Sequence, residues 1–316
     1  MELVSLDDVR AAARNLDGVA VRTPLLPSPW SDRLWLKPEN LQPVGAFKLR
    51  GAYHALASLP EPVRRAGVVT HSSGNHAQAV AYAARAFRVP CVVVMPAGSV
   101  PAKVEATRRL GAEVVLVPPA ERASRAAALA TERGLTMVPP FDHPHVIAGQ
   151  GTVGLEIVED LPVDLVLVPV GGGGLASGVA TAVKARRPGA AVIGVEPALA
   201  ADARESLTVG ELRVWPPEQT FRTVADGLRT GLSELTLAHL RARLDGIVTV
   251  TEPEILDTTR AMVREARLVV EPSGAVATAA FLHHRDELPG GRTVAVISGG
   301  NADPGLLATF FEPPAR

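Results

Sequence analysis

From about residue 67 onward, short runs of β-branched residues alternate with alanine-rich stretches whose apolar positions recur at helical spacing. GVVTHSS, PCVVVM and GAEVVLVP predict strands, and residues 75–88, 101–110 and 120–133 predict the helices that follow them. The pattern returns in DLVLVPV, a helix over about 174–186, AAVIGVE, a stretch near DGIVTV and finally RTVAVISGG. Valine runs through these segments almost without polar alternation, so neither face of such a strand meets solvent. Alternating strands and helices predict an α/β fold of mainly parallel sheets covered by helices on both sides. Pro139–Pro140, the turn around Asp142–Pro144 and the region of Pro60–Pro62 read as boundaries. They predict two doubly wound domains: a smaller one, 68–142, inserted into a larger one made of 1–67 plus 143–316.

Charge and composition narrow the function. The 316 residues carry 32 basic and 33 acidic side chains, a net charge of −1, with no long run of either sign. A nucleic-acid or anionic-membrane surface needs a basic field, and none is visible. The single Cys91 excludes an internal disulfide and a multi-cysteine metal site, which fits a reducing compartment. MELVSLDDVRAAA is acidic and amphipathic, unlike a secretory signal, and the most apolar stretch, 163–183, is broken by Pro169 and consecutive glycines. A soluble cytoplasmic protein is expected. Four of the 32 basic residues are lysines: Lys37, Lys48, Lys103 and Lys184. An arginine-rich balance is what a GC-rich genome produces. It also singles out each remaining lysine as a possible free amine, a role guanidinium cannot fill.

Four segments hold unusual residues where strands end or helices begin, the places where open parallel sheets bind ligands. In PVGGGGLASG, Gly171, Gly172, Gly173 and Gly174 lead into a helix near Leu175. Glycines let the backbone approach an anion closely, and free N–H groups with the helix dipole favour phosphate. A flexible turn is the plainer reading, but it rarely needs four glycines. The pattern is neither the Walker A form nor GxGxxG, so it points to a phosphate without naming its owner. In THSSGNHAQ, Ser72, Ser73, Gly74 and Asn75 bring hydroxyls, an amide and backbone N–H groups to one spot. That set suits a small carboxylate and exceeds what a helix cap requires; Asn75 could donate to a phenolate-like oxygen. His76 alone reads as a helix-surface or supporting histidine.

In ENLQPVGAFKLRGAYHAL, Lys48 begins a helix behind Phe47. A lysine beside an aromatic ring can have a lowered pKa and sit against a planar cofactor, although an ordinary snorkelling cation reads the same way. Lys103 and Lys184 look like solvated positions, and Lys37, close to a strand, is the second candidate amine. In AVISGGN, Ser298 ends a strand and could hydrogen-bond a ring heteroatom; alone, a tight glycine turn is the simpler account.

Together, a lysine amine, a phosphate cradle, a carboxylate loop and a strand-end hydroxyl fit a phosphorylated aldehyde cofactor handling an amino acid. From Arg22–Thr23–Pro24 to Asn301 the chain resembles the threonine/serine dehydratases and serine racemases, pyridoxal-phosphate enzymes of fold type II. The ordered motifs that carry the resemblance are GAFKLRGA, SSGNHAQ, IAGQGTVGLEI, PVGGGGL, GVEP, ADGL, EPSGA and SGGN. Cysteine synthases share that fold but carry a threonine-bearing substrate loop and a different glycine loop.

The resemblance implies that Lys48 forms the Schiff base with pyridoxal phosphate and later moves the Cα proton. It implies that Gly171, Gly172, Gly173, Gly174 and Leu175 hold the phosphate, Asn75 bonds the ring hydroxyl, Phe47 packs on the ring and Ser298 faces its nitrogen. Ser72, Ser73, Gly74, Asn75 and His76 form the substrate loop, and in the racemases the residue matching Ser73 is also the base on the opposite face. A divalent cation, Mg²⁺ or Ca²⁺, is implied at Glu196, the Ala200 carbonyl and Asp202; by themselves the two carboxylates read as a solvated turn. The implied reaction is β-elimination of water from L-threonine or L-serine. A serine racemase, a dehydratase of another β-hydroxy amino acid such as 3-hydroxyaspartate, and a non-catalytic cofactor-binding protein stay open. Ala46 stands where many members have serine, and Phe141 stands where some racemases place asparagine, which counts against racemase. The chain ends soon after SGGN, so no regulatory domain and no isoleucine feedback are expected. A homodimer is expected from the family alone.

Overall fold

The computed structural model describes residues 2–72, 74–99 and 101–311. Among these, ten strands form two sheets: β1 (Leu26–Pro27), β2 (Leu34–Pro38), β3 (Val68–His71), β4 (Cys91–Pro96), β5 (Glu113–Val117), β6 (Thr136–Met137), β7 (Leu165–Pro169), β8 (Ala191–Pro197), β9 (Gly246–Val250) and β10 (Thr293–Ile297). The larger sheet has the order β1-β2-β10-β7-β8-β9, parallel except for β1; the smaller, β5-β4-β3-β6, is parallel throughout. The fold is the α/β arrangement expected. The expected strands form, while β2 lies in a stretch whose Lys37 and Pro38 hide its strand character.

Period-two alternation explains the layers. In the larger sheet Leu165, Leu167, Ala295 and Ile297 face the Pro272–His283 helix, whereas Val166, Val168, Val294 and Val296 face the Gly174–Arg186 helix. In the smaller sheet Val68, Cys91, Val93 and Met95 pack with the Lys48–Ala57 and Asn75–Phe87 helices. Val69, Val92 and Val94 pack with the Arg122–Arg133 helix on the other side. Both faces of both sheets are therefore apolar.

One helix ties the layers together. Pro144–Asp160 carries IAGQGTVGLEI and is buried along most of its length. A Cβ on Gly149 would lie 2.5 Å from the Arg50 carbonyl oxygen, and one on Gly154 would lie 2.7 Å from that of Val179. Its backbone thus touches both the Lys48–Ala57 helix and the Gly174–Arg186 helix. Those are the helices whose first turns bear Lys48 and the glycine loop, so the two are held in fixed relation.

Beneath them lies a buried ion network. Arg50, 1% exposed, donates to Glu39 (Nε–Oε2 2.7 Å) and Glu156 (Nη1–Oε1 2.6 Å). Lys37, fully buried, donates to Glu156 Oε2 and to the Thr23 carbonyl, each at 2.6 Å. Two cations face two carboxylates, which is how such charges tolerate removal from water.

Candidate active site

A cavity of about 450 Å³ opens between the sheets, at the C-terminal ends of β3, β7 and β10. Its wall brings together Phe47, Lys48, Ser72, Gly74, Asn75, His76, Gly171, Gly172, Gly173, Gly174, Leu175 and Ser298. Segments far apart in the chain converge here because β7 and β10 are neighbours in one sheet, and β3 opens the facing sheet towards them. Ser73 lies outside the described residues. Lys37 does not reach the wall: its amine is committed to the ion network, which removes it as an alternative to Lys48.

Lys48 is the first residue of its helix, partly buried, with its Nζ donating to the Pro140 carbonyl at 2.8 Å and lying 5.0 Å from the centre of the Phe47 ring. Burial brings its ammonium down to about 8. The segment before it is fastened to the SGGN turn by a bond from Phe47 N to the Ser298 carbonyl (3.1 Å) and a bridge between Ala46 and Gly299. Lysine and hydroxyl therefore share one anchored corner. Ser298, 4% exposed, donates to the Ser273 carbonyl at 3.4 Å.

The glycine loop leads directly into the Gly174–Arg186 helix. Gly173 is its N-cap at φ 82°, a left-handed conformation suited to glycine, and no side chain caps the helix. A Cβ on Gly172 would lie 2.5 Å from Phe141 Cγ, so the Phe141 ring closes over the loop. Free amides at a helix N-terminus facing a cavity make an anion site.

On the opposite wall, the Ser72 hydroxyl accepts from Gly74 N at 3.2 Å. His76, 2% exposed, sets Nε2 against the Val138 carbonyl at 3.0 Å, and burial pulls it down to about 3, so it is neutral. The Asn75 amide donates through Nδ2 to Glu271 at 2.6 Å and accepts at Oδ1 from Asn301 at 2.8 Å. Glu271, Asp226, Ser273, Lys103, Arg122 and His71 also line the cavity. Sequence reasoning assigned none of them a role, although EPSGA and ADGL contain the first three. Lys103, expected to be solvated, instead forms a 3.0 Å ion pair with Asp226 across the cleft, and Lys184 pairs with Asp245 at 2.6 Å.

Glu196 and Asp202 are not a solvated turn. They are 1% and 2% exposed, and Ala200 is buried beside them. Glu196 accepts from Ala203 N (3.0 Å) and Arg204 N (2.8 Å), capping the Asp202–Val209 helix, while Asp202 Oδ2 has no partner among the described residues. Burial pushes Glu196 up to about 8 and Asp202 up to about 6. Among the described residues no group of three or more His, Cys, Asp or Glu is arranged to hold a metal, and no helix is long and apolar enough to cross a membrane.

Residues 16–299 match the family described as pyridoxal-phosphate dependent enzyme. An L-threo-3-hydroxyaspartate ammonia-lyase from Pseudomonas sp. is 39% identical over 312 residues, covering 96% of this chain and 97% of its own. A serine racemase from Schizosaccharomyces pombe is 38% identical over 318 residues, covering 98% of both chains. The crystal structure of a threonine deaminase from T.th. superposes with a TM-score of 0.90 at 44% identity, covering 98% of this chain and 100% of that one.

Proposed function

The chain belongs to the pyridoxal-phosphate-dependent enzymes, and from that premise we propose that it eliminates water from L-threonine or L-serine, giving the 2-oxo acid and ammonia. The observation that carries this reading is one cavity holding the lowered-pKa amine of Lys48, an uncapped glycine-loop helix, the Asn75 amide and the Ser298 hydroxyl. These groups fit the cofactor. Pyridoxal phosphate, when bound, supplies an imine that withdraws electrons from the substrate and acidifies its Cα–H bond.

The protein's own contribution is placement and proton handling. Lys48 would carry the cofactor and, once freed as an amine, would take the Cα proton; a pKa of about 8 suits a base that works near neutral pH. The amides of Gly171, Gly172, Gly173, Gly174 and Leu175 take the phosphate. Ser298 would offer the ring nitrogen a neutral hydroxyl, which would not hold that nitrogen protonated as a carboxylate would. Ser72 and Ser73, with Gly74, Asn75 and His76, take the substrate carboxylate. The β-hydroxyl would leave as water, taking up a proton equivalent to the one Lys48 removes from Cα, and the enamine product would tautomerise and be hydrolysed to the 2-oxo acid and ammonia after release. We also assign a divalent cation, Mg²⁺ or Ca²⁺, to Glu196, Ala200 and Asp202. The unpartnered Asp202 Oδ2 and two buried carboxyls with raised pKa support it, since such groups hold either protons or a cation.

The test is a spectrum of the protein incubated with pyridoxal phosphate, borohydride reduction, peptide mapping, and assay of 2-oxo acid against D-isomer from L-threonine and L-serine. The expected result is a yellow protein labelled at Lys48 that forms 2-oxo acid. A colourless protein, or label at Lys37, refutes the mechanism; faster D-serine than pyruvate makes it a racemase. A second reading has its own support. Arg122 lines the cavity with its Nε buried and unpartnered, near enough to help lower the pKa of His71. That cation suits a substrate bearing a second carboxylate, as in 3-hydroxyaspartate. A higher kcat/KM for L-threo-3-hydroxyaspartate than for L-threonine, lost in Arg122→Ala, selects it.

A further inference from the structure

Glu271 precedes the Pro272–His283 helix as its N-cap residue, yet its side chain makes no capping bond. It is 4% exposed and turns to the cavity, where Oε1 accepts from Asn75 Nδ2 at 2.6 Å. The other end of that amide is fixed as well. Asn301 Nδ2 donates to the Val44 carbonyl at 2.9 Å and to Asn75 Oδ1 at 2.8 Å. Because a backbone carbonyl can only accept, it sets the orientation of Asn301, which in turn sets that of Asn75. Both neighbours thus demand the same rotamer: Oδ1 towards Asn301 and the NH₂ group towards Glu271.

One N–H of that NH₂ is used by Glu271, and the other is left for the cavity. Gly299 makes the arrangement possible, since a Cβ there would collide with Glu271 Oε1 and lie 3.0 Å from Asn75 Nδ2. A bond from Glu271 N to the Gly299 carbonyl (3.2 Å) ties the carboxyl's own backbone to the same turn.

We propose that Glu271 is a positioning residue which locks the Asn75 amide so that its remaining N–H meets an acceptor oxygen on the bound cofactor, and whose charge sets the proton affinity of that cofactor. The inference rests on the proposed function, through the ring hydroxyl that Asn75 would meet. Burial pushes the Glu271 carboxyl up to about 7, with the charge of Asp226 adding to the shift and the Asn75 hydrogen bond and the charge of Lys103 opposing it. A carboxylate on the cavity wall beside Asn75 would stabilise a proton on the bound cofactor's imine, so removing the charge would lower the pH at which that proton leaves.

The experiment titrates wild type, Glu271→Ala and Glu271→Gln with pyridoxal phosphate, following absorbance across pH, alongside thermal unfolding. Glu271→Ala frees the amide and is expected to weaken cofactor affinity about 10–150-fold, the range for losing a hydrogen bond to a charged group. Glu271→Gln can still accept from Asn75, so it is expected to restore affinity to within about threefold of wild type. Its spectral midpoint should nevertheless move to lower pH by about one unit. Glu271→Ala with wild-type affinity and midpoint, and only a lower Tm, overturns the inference while leaving the proposed function intact. A Glu271→Gln variant as impaired as Glu271→Ala also overturns it, because orientation would then not be what the carboxyl supplies. Wild type that takes up no pyridoxal phosphate overturns both readings.

Discussion

Replacing Gly172 by alanine tests whether the glycine loop is the phosphate cradle. The new Cβ would lie 2.5 and 2.6 Å from Cγ and Cε1 of Phe141, against about 3.5–4.0 Å for a relaxed carbon–carbon contact. Gly172 is not among the left-handed glycines, so the penalty is steric and something must move. If the loop retreats, its amides leave the anion. If the ring retreats, the cover it gives the glycine loop is lost. Either way the cofactor loses. Overpacking of this kind costs about 1–3 kcal/mol, which corresponds to about 5–150-fold in affinity. The assay is absorbance titration with pyridoxal phosphate, with Gly189→Ala as control, because a Cβ there meets nothing within 4 Å. Adding Phe141→Ala to Gly172→Ala should recover part of the loss, a coupling that a double-mutant cycle reads directly. A folded Gly172→Ala protein that binds with wild-type affinity would falsify the cradle.

Lys48→Ala should lose turnover by about 10²–10⁴-fold together with borohydride labelling, and residual label on Lys37, Lys103 or Lys184 would contradict the assignment. Arg50→Met should lower stability by about 3–5 kcal/mol in urea unfolding, because it leaves two buried carboxylates, Glu39 and Glu156, short of a partner; a loss below about 1 kcal/mol would show the network to be dispensable. Glu196 and Asp202 rise from 4.5 and 3.8 to about 8 and about 6 on folding. The folded state therefore binds the extra protons, and this contribution is complete below about pH 4 and lost as pH rises through about 6 and then about 8. Mg²⁺ or Ca²⁺ should accordingly raise Tm of EDTA-treated protein more near about pH 8 than near about pH 5. Glu196→Gln should flatten the difference; equal gains at both, or the same gain in the variant, would remove the cation.

How much was legible before the fold was seen depends on range. Valine runs, helical spacing and the glycine punctuation act over a few residues, so the α/β class, Lys48 at a helix start and the glycine loop at a strand end were readable in the chain. The strand Leu34–Pro38 was legible only as a strand close to Lys37, because the charge of that lysine within it is neutralised by Glu156, which arrives from a distant helix. The same limit applied to the two candidate amines: composition marked Lys37 and Lys48 alike, and only tertiary placement put one in an ion network and the other on the cavity wall. Lys103 read as solvated because its partner, Asp226, belongs to the facing sheet's unit. Glu271 read as part of a motif without a task, since what it does depends on Asn75 and Gly299 arriving beside it. Sequence determined which groups the protein possesses and which backbone segments present them. Folding decided which carboxyls are buried, which cations are spent on them, and which amine is left for chemistry, because burial and pairing are set by neighbours the chain brings from far away.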